Sequence, residues 1–291
     1  MILVTGATGL LGTTLVPHLR AEGRTVATHS HRSPADHSAD LTIASQTFRL
    51  LDKTQPTTII NLVGLTSVER CQDKPNEAYL ANTKTVENIS AWILRAKQPC
   101  HLIQLSTDQV YDGAGPHKED AVTITNSYAF SKYAGELAAA RTPSTILRTN
   151  FVGRSSVSYR ESLTDWIVNS LRHSKRIEVL QDVYFSPLSL TVTCEMISLA
   201  IDKQPPGIFN IGSRGGMSKA DFDYAFAAAL GLDVSLMTRI NSADAAFLKA
   251  YRPKNMCMDC SLFEATMHVR MPDLSDLIPS LADEYRTDSH G

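Results

Sequence analysis

The chain has 291 residues, of which 43% are hydrophobic and 20% charged, and its formal net charge is -2. This balance disfavours a nucleic-acid-binding protein, and no apolar stretch is long enough to cross a bilayer. The five cysteines stand at irregular spacing, which is not the framework of a secreted disulfide protein. We therefore expect a cytoplasmic protein whose partners include neither nucleic acid nor a membrane.

Strand-like and helix-like apolar patterns alternate through the first half of the chain. The pattern predicts strands at 2–4, 25–28, 57–61, 101–105 and 144–147, and helices at 10–21, 77–96 and 128–140. Such alternation is typical of the α/β class, in which helices cover both faces of a parallel sheet. We expect a Rossmann-like, doubly wound parallel sheet with a smaller C-terminal substrate-binding lobe.

The pattern becomes less regular after residue 150. Helices are predicted at 163–171, 192–201 and 218–230, and strands at 177–180 and 208–211. Residues 1–150 are expected to form a dinucleotide-binding domain, to which 190–215 return. The substrate-binding lobe is then expected to comprise 151–189 and 216–291.

A glycine-rich loop follows the first predicted strand and opens the first predicted helix. Its glycines have the spacing GxxGxxG, in which the first allows a tight turn and the last allows close helix packing. The free N–H groups of the helix then face the phosphates of a dinucleotide. The alternative is that the glycines serve only the turn. The expected cofactor contacts here are Gly6, Thr8, Gly9, Leu10, Leu11 and Gly12.

The end of the second predicted strand indicates which dinucleotide binds. Enzymes that use NAD usually place an acidic residue there, but no acidic residue lies between Glu22 and Asp36. Arg32 stands there instead, and a guanidinium suits a 2′-phosphate. We expect NADPH, with NADH as the weaker alternative, and we expect Asp40 and Leu41 to contact the adenine. A solvated arginine is the alternative interpretation.

Three side chains have the spacing of a proton-transfer site. Tyr128 and Lys132 share one face of a predicted helix, and a nearby ammonium should lower the pKa of the phenol. Thr107 follows a predicted strand, at the sheet edge where α/β proteins bind ligands. Alone, the Tyr-Lys pair would be a solvated surface pair and Thr107 a turn residue. Together with the glycine loop they predict catalysis.

The order of these motifs resembles a known family. GxxGxxG, then Ser-Thr-Asp-x-Val-Tyr-Asp-Gly, then Tyr-x-x-x-Lys is similar to the extended short-chain dehydrogenase/reductases, and most similar to the dTDP-4-dehydrorhamnose reductases. The resemblance implies that Tyr128 and Lys132 also contact the cofactor, and it admits a homodimer. The further residues that it implies are Asn61 and Val63 at the cofactor, Thr66, Val68, Thr107 and Phe151 at the substrate, and Asp108 in catalysis.

Two positions depart from the family pattern. Leu62-Val63-Gly64 replaces a run of alanines, and Phe151 stands where the best-known rhamnose reductases place a tryptophan near the sugar. Phenylalanine can stack on a sugar but has less area and no indole N–H. The identity of the sugar is therefore less constrained than the reaction type.

The resemblance implies NADPH-dependent reduction of the 4-keto group of a nucleotide-linked 6-deoxy sugar, as in the conversion of dTDP-4-dehydrorhamnose to dTDP-rhamnose. One alternative is a nucleotide-sugar epimerase or dehydratase, although a dehydratase would typically show Asp-Glu where Asp108-Gln109 stands. Another is a non-catalytic dinucleotide-binding regulatory subunit, like that of methionine adenosyltransferase. No metal site is expected, because Cys257-x-x-Cys260 has no companion ligands.

Overall fold

Strands and helices alternate along the chain in the structure, a computed structural model that describes residues 1–157 and 160–286. The strands are β1 (Ile2–Thr5), β2 (Val26–Ser30), β3 (His37–Ser38), β4 (Thr58–Asn61), β5 (His101–Thr107), β6 (Ser144–Thr149), β7 (Phe151–Val152), β8 (Ile177–Leu180), β9 (Tyr184–Phe185), β10 (Leu188–Ser189), β11 (Gly207–Ile211), β12 (Met217–Ser218) and β13 (Met237–Ile240). The helices are α1 (Leu10–Ala21), α2 (Ala44–Thr54), α3 (Val68–Asp73), α4 (Pro75–Tyr79), α5 (Thr85–Arg95), α6 (Ser127–Ala139), α7 (Leu163–Arg172), α8 (Leu190–Lys203), α9 (Lys219–Ala229), α10 (Ser261–Met267) and α11 (Leu274–Arg286).

Seven strands form one parallel sheet in the order β11-β6-β5-β4-β1-β2-β3. The chain builds outward from β1 in one direction and then continues from β4 in the other. Strand order therefore reverses between β1 and β4, and a crevice opens at the carboxyl ends of these strands. The predicted Rossmann-like, doubly wound fold is confirmed.

Both faces of the sheet are buried. Leu3 and Ile59 point to one face, beneath α2, α5 and α6, whereas Val4 and Ile60 point to the other, beneath α1 and α8. Successive side chains of a strand alternate between faces, so a strand covered on both sides is apolar at every position. That requirement explains the short continuous apolar runs of the first half of the sequence.

The last sheet strand comes from the second half of the chain. After β7 the chain enters a lobe that contains α7 and the parallel pair β8 and β13. It returns through α8, which packs on α1, and β11, which pairs with β6. This path agrees with a return at 190–215, while the boundaries of the lobe, part of which lies outside the described residues, stay a prediction. No helix within 1–157 and 160–286 is long and apolar enough to span a membrane.

Two helical regions differ from the sequence prediction. α2 was not predicted, because its buried face is only half apolar: Thr47 and Thr54 flank Leu50 and Leu51. The single helix predicted at 77–96 is instead α4 and α5 joined by a π-helical turn over Leu80–Lys84. π turns are frequent at functional sites, and this one carries a buried asparagine of the candidate site.

A buried ion pair connects the sheet to α6. Arg148 of β6 is 0% exposed, and its Nη2 lies 2.6 Å from Oε2 of Glu136. Its Nη1 donates to the hydroxyl of Tyr111 at 2.7 Å, and Ser106 of β5 donates to the same glutamate. Burial lowers and Glu136 raises the pKa of Arg148, with a net upward result, so the guanidinium stays charged. The pair therefore holds β5, β6 and α6 together.

We predict that Arg148→Leu lowers the free energy of unfolding by about 3–5 kcal/mol, because it leaves the Glu136 carboxylate buried without its partner. Replacing both residues by leucine should recover much of this loss. Urea denaturation measures both effects. Arg20→Leu is the control, since its pair with Asp36 is half exposed and worth less than about 1 kcal/mol. A loss for Arg148→Leu no larger than the control would contradict the prediction.

Candidate active site

A cavity of about 900 Å3 opens at the carboxyl ends of β1, β4, β5 and β6. This is the sheet edge at which strand order reverses, and the cavity is large enough for a dinucleotide and a second ligand. The predicted site residues on its wall are Gly6, Thr8, Gly9, Leu10, Leu11, Gly12, Arg32, Asp40, Leu41, Val63, Thr66, Thr107, Asp108, Tyr128, Lys132 and Phe151. The structure thus brings together most of the residues selected from the sequence.

The glycine-rich loop forms one wall of the cavity. Gly6 has φ +71, and a Cβ on Gly12 would lie 2.5 Å from the carbonyl oxygen of Ala7, so a side chain is excluded where α1 meets the loop. Gly9 caps α1 without a side-chain hydrogen bond, and the first turn has no acidic residue. The N–H groups of that turn are therefore available to an anion.

Arg32 lies at the outer end of the same cavity. It is exposed, and its guanidinium makes no hydrogen bond or ion pair with another residue in the described part of the chain. Asp40, in contrast, is held in place, because its Oδ1 accepts from the backbone N–H and the hydroxyl of Thr42 at 3.0 and 2.7 Å. The arginine is thus free to bind a phosphate at this end.

Thr107, Tyr128 and Lys132 meet at the inner end of the cavity. Thr107 ends β5, and its hydroxyl lies near enough to the Tyr128 phenol to lower the pKa of that phenol. Asn126 caps α6 by accepting from the N–H of Ala129 at 2.8 Å, which places Tyr128 in the first turn and Lys132 one turn later. All three side chains are largely buried and line the cavity.

The electrostatics of this group differ from the sequence expectation in one respect. Burial raises the pKa of Tyr128, and the nearby Asp108 carboxylate raises it further, although the Thr107 hydroxyl acts in the opposite direction. Burial also lowers the pKa of Lys132 to about 8, and its Nζ donates to the carbonyl of Leu105 at 2.6 Å. The expected lowering of the Tyr128 pKa by Lys132 is therefore wrong for this arrangement: desolvation dominates.

Asp108 stands beside the tyrosine and is only 1% exposed. Burial raises its pKa to about 6, although its carboxylate accepts from Asn150 Nδ2 at 2.7 Å. Asn150 also lies on the cavity wall and was not selected from the sequence as a site residue. Its position after β6 is visible in the sequence, but its partner is not, because 42 residues separate the two.

Two predicted contact residues do not lie on the described cavity wall. Asn61 is fully buried at the end of β4, where its Oδ1 accepts from the Thr5 hydroxyl and its Nδ2 donates to Gln104. Val68 is buried in α3, in an apolar cluster that also contains Tyr128. The expected contacts of Asn61 with the cofactor and of Val68 with the sugar therefore stay predictions. Asn61 shapes the strand ends, and Val68 packs in the cluster that surrounds the tyrosine.

Asn82, in the π-helical turn, joins the loop after β4 to α6. Its side chain accepts from the N–H of Leu65 at 2.7 Å and donates to the Leu65 carbonyl at 3.0 Å. Its Nδ2 also donates to the Ser131 hydroxyl at 2.9 Å. The loop that carries Val63 and Thr66 is thereby held at a fixed position relative to the helix of Tyr128.

The remaining wall belongs to the substrate side. Thr66 is exposed on the loop after β4, and Phe151 of β7 is half buried, so both can face a second ligand. Arg70 of α3 and Arg160, after β7, line the cavity as well. Neither arginine was selected from the sequence, since an isolated arginine in a helix or loop has no distinctive spacing.

Known proteins resemble this chain over most of its length. A model described as the RmlD substrate binding domain matches residues 1–287. Agl14 of Haloferax volcanii, a probable low-salt glycan biosynthesis reductase, is 28% identical over 96% of both chains. The beta subunit of mouse methionine adenosyltransferase 2 is 26% identical over 90% of this chain and 81% of its own.

The fold is shared with solved structures. The dTDP-4-dehydrorhamnose reductase of Bacillus anthracis, solved in complex with NADP, has a TM-score of 0.87 at 22% identity and covers 97% of this chain and 98% of its own. These findings confirm the resemblance that the motif order indicated. Because the family model spans nearly the whole chain, the protein belongs to the RmlD substrate-binding domain family.

Proposed function

We propose that this protein uses NADPH to reduce the 4-keto group of a nucleotide-linked 6-deoxy sugar, with dTDP-4-dehydrorhamnose as the expected substrate and dTDP-rhamnose as the product. The observation that carries the proposal is the shared cavity. One end offers the N–H groups of the first turn of α1 and the exposed Arg32, and the other is lined by a tyrosine, a threonine and a lysine.

The residues present fit a dinucleotide phosphate. In the described part of the chain no side chain caps the first turn of α1, and no residue pairs with the Arg32 guanidinium at the far end, so the two can bind a pyrophosphate and a 2′-phosphate. When bound, NADPH supplies the hydride that the carbonyl carbon accepts. NADH would lack the phosphate that Arg32 would hold and is the weaker alternative.

Within this proposal, Tyr128 donates its proton to the carbonyl oxygen. The raised pKa keeps the phenol protonated at neutral pH, which suits a general acid. Lys132, with a pKa of about 8, is mostly an ammonium at neutral pH and can stabilise the phenolate that remains. Thr107 orients the substrate carbonyl relative to the phenol, and Asp108 accepts hydrogen bonds from the sugar.

The alternatives make different demands on the site. A dehydratase needs a second acid or base beside Asp108, but Gln109 is neutral, and its Oε1 accepts from Asn126 at 3.2 Å. A regulatory subunit needs no proton donor, whereas the tyrosine and lysine are both present here. The reductase is therefore favoured, and the regulatory role becomes an outcome of the tests below.

We also propose a cytoplasmic location, since all five cysteines are free and suit a reducing compartment. A homodimer stays a prediction of the family resemblance. So does the division into a dinucleotide-binding domain and a substrate-binding lobe.

We predict that Tyr128→Phe lowers turnover roughly 10²–10⁴-fold and leaves NADPH binding intact, because only the acidic hydroxyl is removed. Lys132→Met should lose at least as much turnover and also bind NADPH more weakly. Single-turnover NADPH oxidation with a dTDP-4-keto-6-deoxyhexose measures the rates. Tyr133→Phe is the matched control, since it removes a hydroxyl from the same helix away from the cavity wall. Near-wild-type turnover by Tyr128→Phe would favour the regulatory role.

The second prediction concerns the choice of cofactor. Arg32→Ala should weaken NADPH binding about tenfold, at the lower end of the range for charge-assisted hydrogen bonds because Arg32 is exposed. NADH binding should change little, and Arg32→Lys should be intermediate. Fluorescence titration at two salt concentrations tests this, because an exposed ionic contact weakens with salt. Equal losses for both cofactors would argue against a 2′-phosphate contact.

The third prediction concerns Phe151. If this ring faces the sugar, Phe151→Ala should weaken binding of the sugar nucleotide roughly tenfold and spare NADPH binding. Phe130→Ala is the control, because Phe130 is an exposed phenylalanine on α6. Calorimetry measures the affinities, and thermal unfolding shows whether the variant is folded. A folded variant with unchanged affinity would place Phe151 outside the substrate site.

A further inference from the structure

A segment of the lobe without helix or strand lies against the start of α6. Residues 249–255 belong to the stretch between β13 and α10. The far end of the segment is held by the lobe, because the N–H of Tyr184 donates to the carbonyl of Lys254 at 2.7 Å. Within the described residues, 249–253 take part in no backbone–backbone hydrogen bond. Contacts that involve side chains must therefore fix this part of the segment.

Arg252 makes a charged contact between this segment and α3. Its Nη2 donates to both carboxylate oxygens of Glu69, at 2.6 and 2.7 Å. Its Nη1 donates to the carbonyl of Ala250 at 3.1 Å. The arginine side chain is only 12% exposed, so the pair is better shielded from water than a surface pair. One planar guanidinium thus joins α3 to the segment, a task that needs N–H groups in a fixed fork.

Both contacts of Arg252 adjoin the apolar cluster around Tyr128. Glu69 follows Val68 in α3, and Val68 and Ala250 both belong to this cluster. Tyr128 is 7% exposed and Ala250 is 6% exposed. The remaining buried members of the cluster come from α3 and α4. Ala250 is therefore the residue by which the lobe completes the surroundings of the tyrosine.

A neutral contact ties the same segment to the cap of α6. Asn126, whose side chain caps this helix, donates from Nδ2 to the carbonyl of Tyr251 at 3.2 Å. Tyr251 lies between Ala250 and Arg252, and Asn126 stands two residues before Tyr128. The segment is thus held against the first turn of α6 as well as against α3.

We propose that Arg252 is a positioning residue for Tyr128. By joining Glu69 to the carbonyl of Ala250, its guanidinium keeps the apolar cluster closed around the tyrosine. The phenol is then held in one place relative to the cavity, and misplacing a reacting group by about 1 Å can cost roughly 100-fold in rate. The effect on turnover rests on the proposed function, whereas the closure of the cluster does not.

The ion pair predicts a specific pattern among variants. Arg252→Met and Glu69→Gln should each open the cluster and let water reach the phenol. The double variant should do no more than either single one, because both remove the same contact. Arg252→Lys keeps the charge but lacks the fork that reaches two acceptors, so it should be intermediate. Lys249→Met is the matched control, since Lys249 also pairs with α3, at Asp73, but at 4.0 Å and on the surface.

The experiment follows the phenol carbon of Tyr128 by NMR in the full chain labelled with ζ-¹³C tyrosine. Its signal is identified by its loss in Tyr128→Phe. Burial raises the pKa of Tyr128, so this phenol should stay protonated in the wild type and in Lys249→Met at about pH 10, where an ordinary tyrosine is half ionised. In Arg252→Met and Glu69→Gln it should be partly ionised at that pH, because water would then solvate the phenolate.

A direct effect of the changed charges is distinguishable from opening of the cluster. Arg252→Met removes a positive charge and Glu69→Gln a negative one, so direct electrostatics would move the pKa of Tyr128 in opposite directions, whereas opening lowers it in both. The titratable groups beside the phenol are the same in all variants. They are Asp108 after β5, Cys71 of α3 and Lys132 one turn along α6.

Ionisation of Tyr128 in both variants, with no further gain in the double variant, supports closure of the cluster by Arg252. A phenol that stays protonated in both, ionisation in only one, or effects that add in the double variant overturn the proposal. Thermal unfolding at the same pH shows whether each variant is folded. Arg252→Lys takes the place of Arg252→Met if the latter does not fold.

The same variants are then assayed with NADPH and the keto-sugar nucleotide. In Arg252→Met and Glu69→Gln, kcat should fall about tenfold because the phenol is no longer fixed. The dissociation constant for NADPH should stay unchanged, since neither residue lines the described cavity. An opened cluster in a protein that reduces no keto sugar would keep the closure by Arg252 and reject the reductase function. Wild-type kcat in both variants would reject the positioning role and keep the reductase.

Discussion

The buried pair between Arg148 and Glu136 holds the site together, because each of its ends belongs to an element that carries site residues. Glu136 lies one helical turn beyond Lys132 on α6. Its carboxylate accepts a hydrogen bond from the hydroxyl of Ser106, which precedes Thr107 on β5. Arg148 also donates to Tyr111, whose hydroxyl donates in turn to Asn210 of β11 at 2.7 Å. Each of these buried polar groups therefore has a hydrogen-bond partner, which is the condition under which a buried charge can be tolerated. These contacts therefore fix the end of β5 relative to α6, and with it the positions of the residues that line the cavity.

Desolvation gives the inner end of the cavity its chemical character. The same burial keeps Tyr128 protonated, weakens the basicity of Lys132 and raises the pKa of Asp108. These shifts differ in sign only because burial disfavours the charged form of each group. A protonated phenol and a lysine therefore line the same end of the cavity, which is what the proposed transfer of a proton to a carbonyl requires.

The two ends of the cavity are built differently. The outer end presents backbone N–H groups and an exposed arginine, groups that can bind an anion without a fixed geometry. The inner end uses buried side chains that are each held by a named partner, such as Leu105 for Lys132 and Asn150 for Asp108. Under the proposed function, separate parts of one crevice would serve binding affinity and proton transfer, as expected where positioning matters most at the reacting atoms.

The sequence by itself determined the features that depend on local periodicity and turn geometry. Alternating apolar runs predicted the parallel sheet, the spacing of Gly6 and Gly12 predicted the phosphate loop, and a single turn of helix placed Tyr128 with Lys132. The apolar pattern did not predict helix α2, because threonines occupy half of its buried face.

Only the tertiary structure decided the contacts between distant parts of the chain. It placed Val68 in the apolar cluster around Tyr128, set Asn82 in a π turn, and brought the amide of Asn150 to Asp108. The physical reason is that a pKa or a buried contact depends on what surrounds a group in space, and local sequence patterns do not contain that information.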